Sequence, residues 1–298
     1  MYTPKIIIRA LRLPFITASA IPFIFGSLIG KGVFHPAVFL LGLSSAVCMH
    51  LSANLINDLA DSQSGADWQD RAFYGFFGGS KLIQEGLLTE KFYLHFSLLF
   101  AGLSFACAAA LAVMLDKALI IGVFCAVLAA GWLYSLKPFS FSYRRVGEFI
   151  IFILFGPVLV MGGYFLQTGI FPDLKSLILS LPLGFLVTAI LFSNEIADFT
   201  QDRSAAKFTW VSITGHRRGY LLYMALVALS FSAVGYAVYR GYLNPTAMFS
   251  LILLLPAYKA AMILKKDFLK KDKLTVSSKL TIMIHALTGI ILIVSIFL

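Results

Sequence analysis

Charged residues are scarce in this chain and make up 13% of its 298 residues, about half the share found in soluble globular domains. Cysteine and histidine are also rare, with three and five copies, and none shows the spacing of a metal site. Cys48, Cys107 and Cys125 lie within apolar runs, so we expect them to be small buried hydrophobic side chains. The N-terminus lacks the order of charged, apolar and small residues that marks a cleaved signal peptide. The composition therefore disfavours a soluble domain.

Long apolar runs dominate the chain, and hydrophobic residues make up 59% of it. A helix needs about 20 apolar residues to cross the hydrocarbon layer of a bilayer. The runs are continuous rather than alternating, which favours a helical bundle over a barrel. We predict an all-α, polytopic membrane protein that forms a single transmembrane domain over 1–298. Its nine predicted spans are 14–31, 36–57, 92–115, 118–136, 147–168, 175–197, 219–239, 246–264 and 278–297.

Lysine and arginine outnumber the acids by 24 to 14, which gives a formal net charge of +10. They concentrate in the N-terminal segment and in alternate loops, and such positive loops stay on the cytoplasmic side. We therefore predict a cytoplasmic N-terminus, an external C-terminus and a location in the inner (plasma) membrane. Lys5, Arg9 and Arg12 have helical spacing, which predicts a short helix on the membrane surface. Contact with anionic lipid accounts for the charge, so the bilayer is a predicted partner and nucleic acid is not.

Half of the acids fall in two short segments, each of which ends an apolar run. The first segment, NDLADSQSGADWQDR, begins at Asn57, and the second, NEIADFTQDRSAAK, begins at Asn194. Their shared pattern of Asn-acid-x-x-Asp suggests an internal duplication that relates 14–136 to 147–264. On a helix, Asn57 and Asp61 share one face, and the same holds for Asn194, Asp198 and Asp202. The sequence thus predicts two helix ends that each present several oxygen atoms together.

Like charges on one helical face near hydrocarbon are costly unless something offsets them. Carboxylate and amide oxygens suit Mg²⁺, which commonly bridges one or two carboxylates to substrate phosphates. The predicted metal ligands are Asn57, Asp61, Asp67, Asn194, Asp198 and Asp202, and the predicted diphosphate-binding cations are Arg71, Lys81, Lys137, Arg144 and Lys207. The alternative is that the acids are solvated helix ends and that cations such as Arg144 only set the topology.

Asn57-Asp58-x-x-Asp61 and Asp198-x-x-x-Asp202 resemble the two aspartate-rich motifs of the UbiA superfamily of intramembrane aromatic prenyltransferases. The resemblance runs the length of the chain. It implies nine helices around a central cavity, capped by the cytoplasmic loops between helices two and three and between helices six and seven. It implies Mg²⁺ as cofactor, catalysis by the four motif aspartates, and transfer of a polyprenyl group from polyprenyl diphosphate to an aromatic acceptor. We expect Tyr143 and Glu148 to bind that acceptor.

Four stretches resemble the superfamily branch that prenylates 1,4-dihydroxy-2-naphthoate in menaquinone biosynthesis. They are Gly65-Ala66-Asp67, GGSKLIQEGLLT at 78–89, YRRVGE at 143–148 and FGPVLVMGGYFLQTG at 155–169. Ala206-Lys207-Phe208 stands where that branch usually has Gly-Lys-Arg. We therefore expect this acceptor, with 4-hydroxybenzoate, homogentisate or a glyceryl-phosphate lipid as alternatives within the superfamily. A cation-coupled transporter that uses the acids as an ion site is the alternative from another class.

Overall fold

The computed structural model describes residues 3–30, 32 and 34–298. Within these ranges a short helix, α1, precedes nine longer ones. The helices are α1 (Pro4–Ala10), α2 (Thr17–Ile29), α3 (Pro36–Ser64), α4 (Glu90–Leu115), α5 (Leu119–Leu133), α6 (Gly147–Thr168), α7 (Leu174–Ser204), α8 (Gly219–Tyr239), α9 (Pro245–Lys266) and α10 (Lys271–Phe297). Short helical turns lie in the connections, and the described part has no strand longer than one β-bridge, between Arg144 and Phe208. The predicted all-α fold is confirmed.

Seven of the described helices, α3, α4 and α6 to α10, are long and apolar enough to cross a membrane. The chain bends by 48° between α1 and the segment Leu13–Ile29, and this bent pair can supply an eighth span. The run predicted at 118–136 contains α5, whose 15 residues reach about 22 Å. That length is shorter than a hydrocarbon layer of about 30 Å. A multi-pass membrane protein is confirmed, while the count of nine spans stays a prediction.

Two predicted spans, 36–57 and 175–197, are shorter than the helices that contain them. α3 continues into the first acidic segment as far as Ser64, and α7 continues into the second as far as Ser204. Gly65 ends α3 in a left-handed conformation with φ of 87°, which glycine adopts without a steric penalty. Both acidic segments therefore begin on the last turns of long helices. Their side chains keep the helical spacing that the sequence predicts.

α7 is the central helix of the bundle. In its most apolar window 72% of the residues are buried, against at most 39% in the other six apolar helices of membrane-spanning length. It packs against α6, α8 and α10. Gly156 on α6 faces Gly184 on α7, where a Cβ added to Gly156 would lie 2.8 Å from the Gly184 Cα. Because small residues let helix backbones approach closely in lipid, this contact fixes the second acidic segment relative to α6.

The outer helices expose apolar side chains over much of their surface, as expected for helices that face lipid. Leu98, Leu99 and Phe105 on α4 are examples. Cys125 on α5 is exposed, and Cys48 and Cys107 are half-buried. The expectation that all three cysteines are buried is therefore wrong. An apolar thiol on a lipid-facing helix is already in a compatible environment and has no need of burial in protein.

Candidate active site

A cavity lies at the end of the bundle where α3 and α7 finish, with an empty volume of about 1430 Å³ including its open mouth. All six predicted metal ligands line it, three from α3 and the turn after it and three from α7. Among the predicted diphosphate-binding cations, Lys81 and Lys207 line the cavity. Two segments that are far apart in the sequence therefore face one space, and two of the predicted cations face it with them.

Lys207 connects the two acidic segments. Its Nζ lies 3.7 Å from Asp61 Oδ2 on α3 and 3.4 Å from Asp202 Oδ1 on α7. The backbone N–H of Lys207 also donates to the Asp202 carbonyl over 2.8 Å, which closes the end of α7. Burial lowers the pKa of Lys207, but the carboxylates of Asp202 and Asp61 outweigh it and hold that pKa well above its usual value. The ammonium group therefore stays charged inside the cavity.

The loop from Gly78 to Lys81 ties both segments together. The backbone N–H of Gly78 donates to Asp198 Oδ2 over 2.9 Å, and that of Ser80 donates to Asp58 Oδ2 over 3.2 Å. Lys81 donates from Nζ to Asp67 Oδ1 over 2.7 Å. The loop is left-handed at 78, 79 and 81, with φ of 74°, 76° and 59°. The two glycines permit this shape, so the run Gly-Gly-Ser-Lys is explained by a tight loop that hydrogen-bonds to carboxylates.

Asp67 and Asp58 occupy different environments within the first segment. Burial raises the pKa of Asp67 to about 7, and the Asp61 carboxylate adds to this effect while Lys81 opposes it. Asp58, predicted to be catalytic, is 3% exposed and is absent from the residues that line the cavity. Its Oδ1 lies 3.5 Å from the Arg12 guanidinium. In this arrangement Asp58 orients the loop and Arg12, while Asp61 and Asp67 face the cavity.

Tyr143 and Glu148, the predicted acceptor-binding residues, lie behind the cavity wall. Tyr143 donates from its hydroxyl to Asp61 Oδ1 over 2.8 Å, and burial together with Asp61 raises its pKa. Glu148 is 1% exposed, and its Oε1 accepts a hydrogen bond from the backbone N–H of Trp210. The first turn of α6 is thereby joined to the loop that follows α7. Neither residue is among those that line the cavity, and their role in acceptor binding stays a prediction.

Arg71, Lys137 and Arg144, also predicted to bind diphosphate, are exposed and do not line the cavity. The Arg71 guanidinium lies 5.1 Å from the centroid of the Trp68 ring. Arg144 donates to the Pro138 carbonyl over 2.8 Å. The structure therefore does not bring these three cations to the motif carboxylates, although it does so for Lys81 and Lys207.

Two further cations line the cavity, and the sequence did not indicate either of them as a site residue. Arg12 lies where α1 and α2 meet, and its Nη1 donates to Asn57 Oδ1 over 3.4 Å. Lys271 begins α10, and its Nζ lies 2.6 Å from Asp70 Oδ2. Burial alone would raise the pKa of Asp70, but the hydrogen bond and charge of Lys271, together with the hydrogen bonds from the Ala72 N–H and the Tyr74 hydroxyl, outweigh it and lower that pKa. Arg12 belongs to an amphipathic segment and Lys271 to a lysine-rich loop, and neither pattern indicates a site.

The cavity continues past the motifs between α3, α6 and α7. His50 and Asn54 lie on the α3 wall at helical spacing before Asn57, and so share its face. His50 Nδ1 lies 2.8 Å from Ser19 Oγ, and its ring packs edge-on against Phe155 at 5.1 Å. The apolar lining residues of this part are Ile151, Leu154, Phe155, Val187, Ile190 and Leu191. A charged mouth therefore leads into an apolar interior with a few polar groups.

The oxygen atoms at the mouth fit Mg²⁺ bound together with a diphosphate. In the part of the chain that the structure describes, no three His, Cys, Asp or Glu side chains lie close enough to hold a metal ion by themselves. Mg²⁺ keeps several waters and usually takes only one or two carboxylates beside substrate phosphates, so it needs no closed protein cage. Asp61, Asp198 and Asp202 offer carboxylates here. Asn194 is held by Ser278, whose hydroxyl donates to Asn194 Oδ1 over 2.7 Å.

Comparison with known proteins shows where this architecture belongs. The sequence model of the UbiA prenyltransferase family matches residues 19–287. The chain belongs to the UbiA prenyltransferase family. The 1,4-dihydroxy-2-naphthoate octaprenyltransferase of Mycobacterium tuberculosis (strain ATCC 25618 / H37Rv) is 30% identical over 199 residues, covering 66% of this chain and 65% of that relative. The enzyme of the same name from Bacillus subtilis (strain 168) is 27% identical over 239 residues, covering 77% and 72%. The chain thus spans less than two thirds of the mycobacterial relative.

Solved structures of the family share the fold. The apo structure of a UbiA homolog from Aeropyrum pernix K1 has a TM-score of 0.72 and 17% identity, and the match covers 93% of this chain and 97% of that one. A UbiA homolog from Archaeoglobus fulgidus, solved bound to GPP and Mg²⁺, has a TM-score of 0.63 and 17% identity, with 97% coverage of both chains. These similarities show that the whole bundle shares the fold of these structures.

Proposed function

We propose that this chain is a Mg²⁺-dependent enzyme that transfers a polyprenyl group from polyprenyl diphosphate to an aromatic acceptor. The observation that carries the proposal is the shared cavity, in which Asp61 and Asp202 from the two motifs both contact Lys207. The family match supports the reaction class, and the A. fulgidus homolog bound to GPP and Mg²⁺ supports the donor and the cofactor. A charged mouth above an apolar interior suits a substrate with a diphosphate head and a hydrocarbon tail.

The first step breaks the allylic C–O bond, and the diphosphate leaves with the electron pair. Mg²⁺, when bound, neutralises the negative charge of the diphosphate. Lys81 and Lys207 stabilise the same charge from the protein, and Arg12 and Lys271 add positive potential at the mouth. Because carboxylates already hold these cations in place, little reorganisation is needed when the charge develops.

The second step joins the allylic carbon to the acceptor ring. Phe155 and Leu154 lie in the apolar part of the cavity wall, which excludes water from the allylic cation. The face of an aromatic ring such as that of Phe155 also attracts a cation. The ring carbon of the acceptor supplies the electron pair of the new C–C bond. In 1,4-dihydroxy-2-naphthoate the carboxylate then leaves as CO2, and its electron pair restores the aromatic ring.

The acceptor that we propose is 1,4-dihydroxy-2-naphthoate, in menaquinone biosynthesis. It is supported by the names of the mycobacterial and bacillar relatives and by the motif resemblances described above. The cell's inner (plasma) membrane is the proposed location, with the cavity mouth on the cytoplasmic side. The lysine- and arginine-rich loops that contain Lys81, Lys207 and Lys271 lie at this mouth, as the positive-inside rule requires of a cytoplasmic face.

The test uses purified protein in lipid nanodiscs with Mg²⁺, one polyprenyl diphosphate and a panel of aromatic and glyceryl-phosphate acceptors. We expect a single prenylated product, formed from dihydroxynaphthoate with loss of CO2 and identified by mass, and no product when EDTA removes the metal. Exclusive prenylation of another acceptor would replace the naphthoate assignment. Diphosphate that is never released with any acceptor, in protein that binds Mg²⁺, would instead favour the transporter alternative.

A further inference from the structure

His50 presents one ring nitrogen to the inner part of the cavity. Its Nδ1 lies 2.8 Å from Ser19 Oγ. Its Nε2 makes no hydrogen bond to any described residue, yet this atom is not enclosed by protein, in contrast to both ring nitrogens of His285, which are buried without a partner. His50 lines the cavity and is only 8% exposed, so the open side of Nε2 is the cavity. An unpaired polar atom in such a place indicates where a ligand makes a hydrogen bond.

Ser19 determines which nitrogen of His50 carries the proton. The carbonyl of Ile16 already accepts the backbone N–H groups of Ser19 and Ala20 over 3.0 and 2.9 Å, and a carbonyl oxygen has two lone pairs. The Ser19 hydroxyl, which lies 3.1 Å from that carbonyl, therefore donates to His50 Nδ1 at the shorter distance of 2.8 Å. In a neutral imidazole one nitrogen accepts and the other carries the proton. Nε2 is therefore an N–H donor that faces the cavity.

The surroundings of His50 leave room for a flat ring. Ala53 lies one turn further along α3, and Ala18 on α2 adjoins Ser19, and both of these small side chains line the cavity. The ring of Phe155 packs edge-on against the imidazole with 5.1 Å between the centroids. This contact and the hydrogen bond from Ser19 together restrict rotation of the imidazole. His50 is therefore held as a fixed donor beside open space.

Of the two substrates of the proposed reaction, only the acceptor supplies an oxygen atom at this depth. The prenyl tail has no hydrogen-bonding atom. The proposed diphosphate site is at the mouth, and His50 lies seven residues before Asn57 on α3, about 10 Å further into the bundle. A carboxylate buried against a single neutral donor would remain largely unsatisfied, whereas a hydroxyl oxygen readily accepts one hydrogen bond. The partner that fits His50 is therefore a ring hydroxyl of the acceptor.

We propose that His50 is an acceptor-binding residue, and that its Nε2–H donates a hydrogen bond to a ring hydroxyl of the aromatic acceptor while Ser19 positions the imidazole. This inference rests on the proposed function, since it concerns the acceptor of that reaction. The hydrogen bond orients the ring so that the carbon to be prenylated faces the allylic carbon nearer the mouth. Because the bond acts on binding and orientation, its loss should appear mainly in the acceptor KM.

The first test measures three variants in nanodiscs with 1,4-dihydroxy-2-naphthoate as acceptor. His50→Leu removes the donor and should raise the acceptor KM at least tenfold, while the donor KM and the half-saturating Mg²⁺ concentration stay within twofold. His50→Gln keeps an N–H donor on its side chain and should recover part of this loss. Ser19→Ala leaves the imidazole in place without its positioning partner, so it should raise the acceptor KM by a smaller factor than His50→Leu.

His285→Leu is the matched control. His285 is fully buried on α10 and does not line the cavity, so this variant should leave the acceptor KM unchanged. If it raises that KM as much as His50→Leu does, the effect comes from the loss of any buried histidine and the proposal is overturned. A rise in donor KM as large as the rise in acceptor KM would also overturn it, because His50 would then act on the donor.

The second test measures the coupling between His50 and one hydroxyl. 1-Hydroxy-2-naphthoate and 4-hydroxy-2-naphthoate each lack one hydroxyl of the acceptor, and both are measured as competitors of it. On the wild type, one of them should bind at least tenfold more weakly than the dihydroxy compound, and in His50→Leu this penalty should shrink to less than twofold. Loss of the other hydroxyl should have the same effect in both proteins. Penalties that His50→Leu leaves unchanged for both analogues would overturn the proposal.

The analogues also cover the case in which His50→Leu does not fold. Equal binding of both analogues and the dihydroxy compound to the wild type would overturn the proposal without any variant. Ser19→Ala should reduce the penalty for the same hydroxyl, and an unchanged penalty would overturn the positioning role of Ser19. Normal acceptor binding in every variant of an active enzyme would overturn this inference alone. No product with any acceptor in the wild type would overturn the proposed function and this inference together.

Discussion

Gly78 donates its backbone N–H to Asp198 Oδ2 over 2.9 Å, so the loop that follows the first acidic segment is fastened to the second. The same loop binds the first segment through Ser80 and Lys81. One short loop is therefore in contact with both halves of the candidate site. Any change in its backbone alters the distance between the two sets of carboxylates, and this makes its glycines sensitive positions.

Gly79→Ala should lower prenyl transfer strongly. Gly79 has a φ of 76°, and an added Cβ would lie 2.7 Å from Asp67 Oδ2 and 3.3 Å from Asp58 Oδ1. The substitution displaces the carboxylates, and a shift of about 1 Å near reacting groups can cost on the order of 10²-fold in rate. Gly75→Ala is the control, because Gly75 has a φ of 86° and nothing within 4 Å of its added Cβ. Gly75→Ala should lose less kcat/KM than Gly79→Ala, and its loss measures the effect of backbone strain alone. Equal losses would show that the carboxylate contact is unimportant.

The helical spacing of Asn57 and Asp61 and of Asp198 and Asp202 could be predicted because it depends only on local backbone geometry. The roles of the cations could not. Lys207 and Arg144 look alike in the sequence, since each is a positive residue in a loop predicted to be cytoplasmic, yet Lys207 contacts two motif carboxylates and Arg144 is exposed. Arg12 reaches Asn57 because the chain bends at Arg12 itself, which has a φ of 50°. Such contacts depend on how distant parts of the chain pack together in the folded bundle, which local sequence patterns do not specify.

Asp61→Asn should reduce activity far more than Asp58→Asn, although the two aspartates share a motif. Asp61 lines the cavity and contacts Lys207, and its loss should lower kcat by about 10²- to 10³-fold. Asp58 does not line the cavity, and an asparagine oxygen there can still accept from Ser80, so about a tenfold loss is expected.

The half-saturating Mg²⁺ concentration, measured alongside kcat, should rise for Asp61→Asn and change little for Asp58→Asn. Matching losses of activity and of Mg²⁺ affinity in both variants would contradict the positions that the structure assigns to the two carboxylates. Circular dichroism and gel filtration in detergent establish that both variants remain folded.

Lys207→Gln should lower kcat by about 10²- to 10³-fold, the loss typical of removing one electrostatic stabiliser of a developing negative charge. The variant also leaves Asp61 and Asp202 without the cation between them, so donor KM should rise. Lys207→Arg keeps the charge and should recover part of the activity. Arg240→Gln is the control and should behave as wild type. Arg240 is an exposed cation that directly follows the C-terminal end of α8, and it does not line the cavity. Wild-type kinetics for Lys207→Gln would remove Lys207 from the diphosphate site.

The pKa of Asp67 predicts a stability effect with a definite sign. The unfolded chain releases this proton near pH 3.8 and the folded chain near 7, because burial and the Asp61 carboxylate disfavour the charged form. Between these values the folded state holds more protons, so the contribution of Asp67 to the free energy of unfolding falls as pH rises from about 4 to 7. In EDTA, the melting temperature of Asp67→Asn relative to wild type should therefore increase between pH 5 and pH 7.5.

Asp70→Asn is the matched control for that measurement, because Lys271 and the hydrogen bonds from Ala72 and Tyr74 together outweigh burial and lower the pKa of Asp70. A carboxylate with a lowered pKa is ionised in both states above pH 5, so its difference from wild type should not change over the same interval. Adding Mg²⁺ and a diphosphate should shrink the pH dependence of the Asp67 difference, because a bound cation favours the charged carboxylate. A difference that is flat with pH in EDTA, or one that grows when Mg²⁺ and diphosphate are added, would show that Asp67 is not a buried carboxylate facing the metal and diphosphate site.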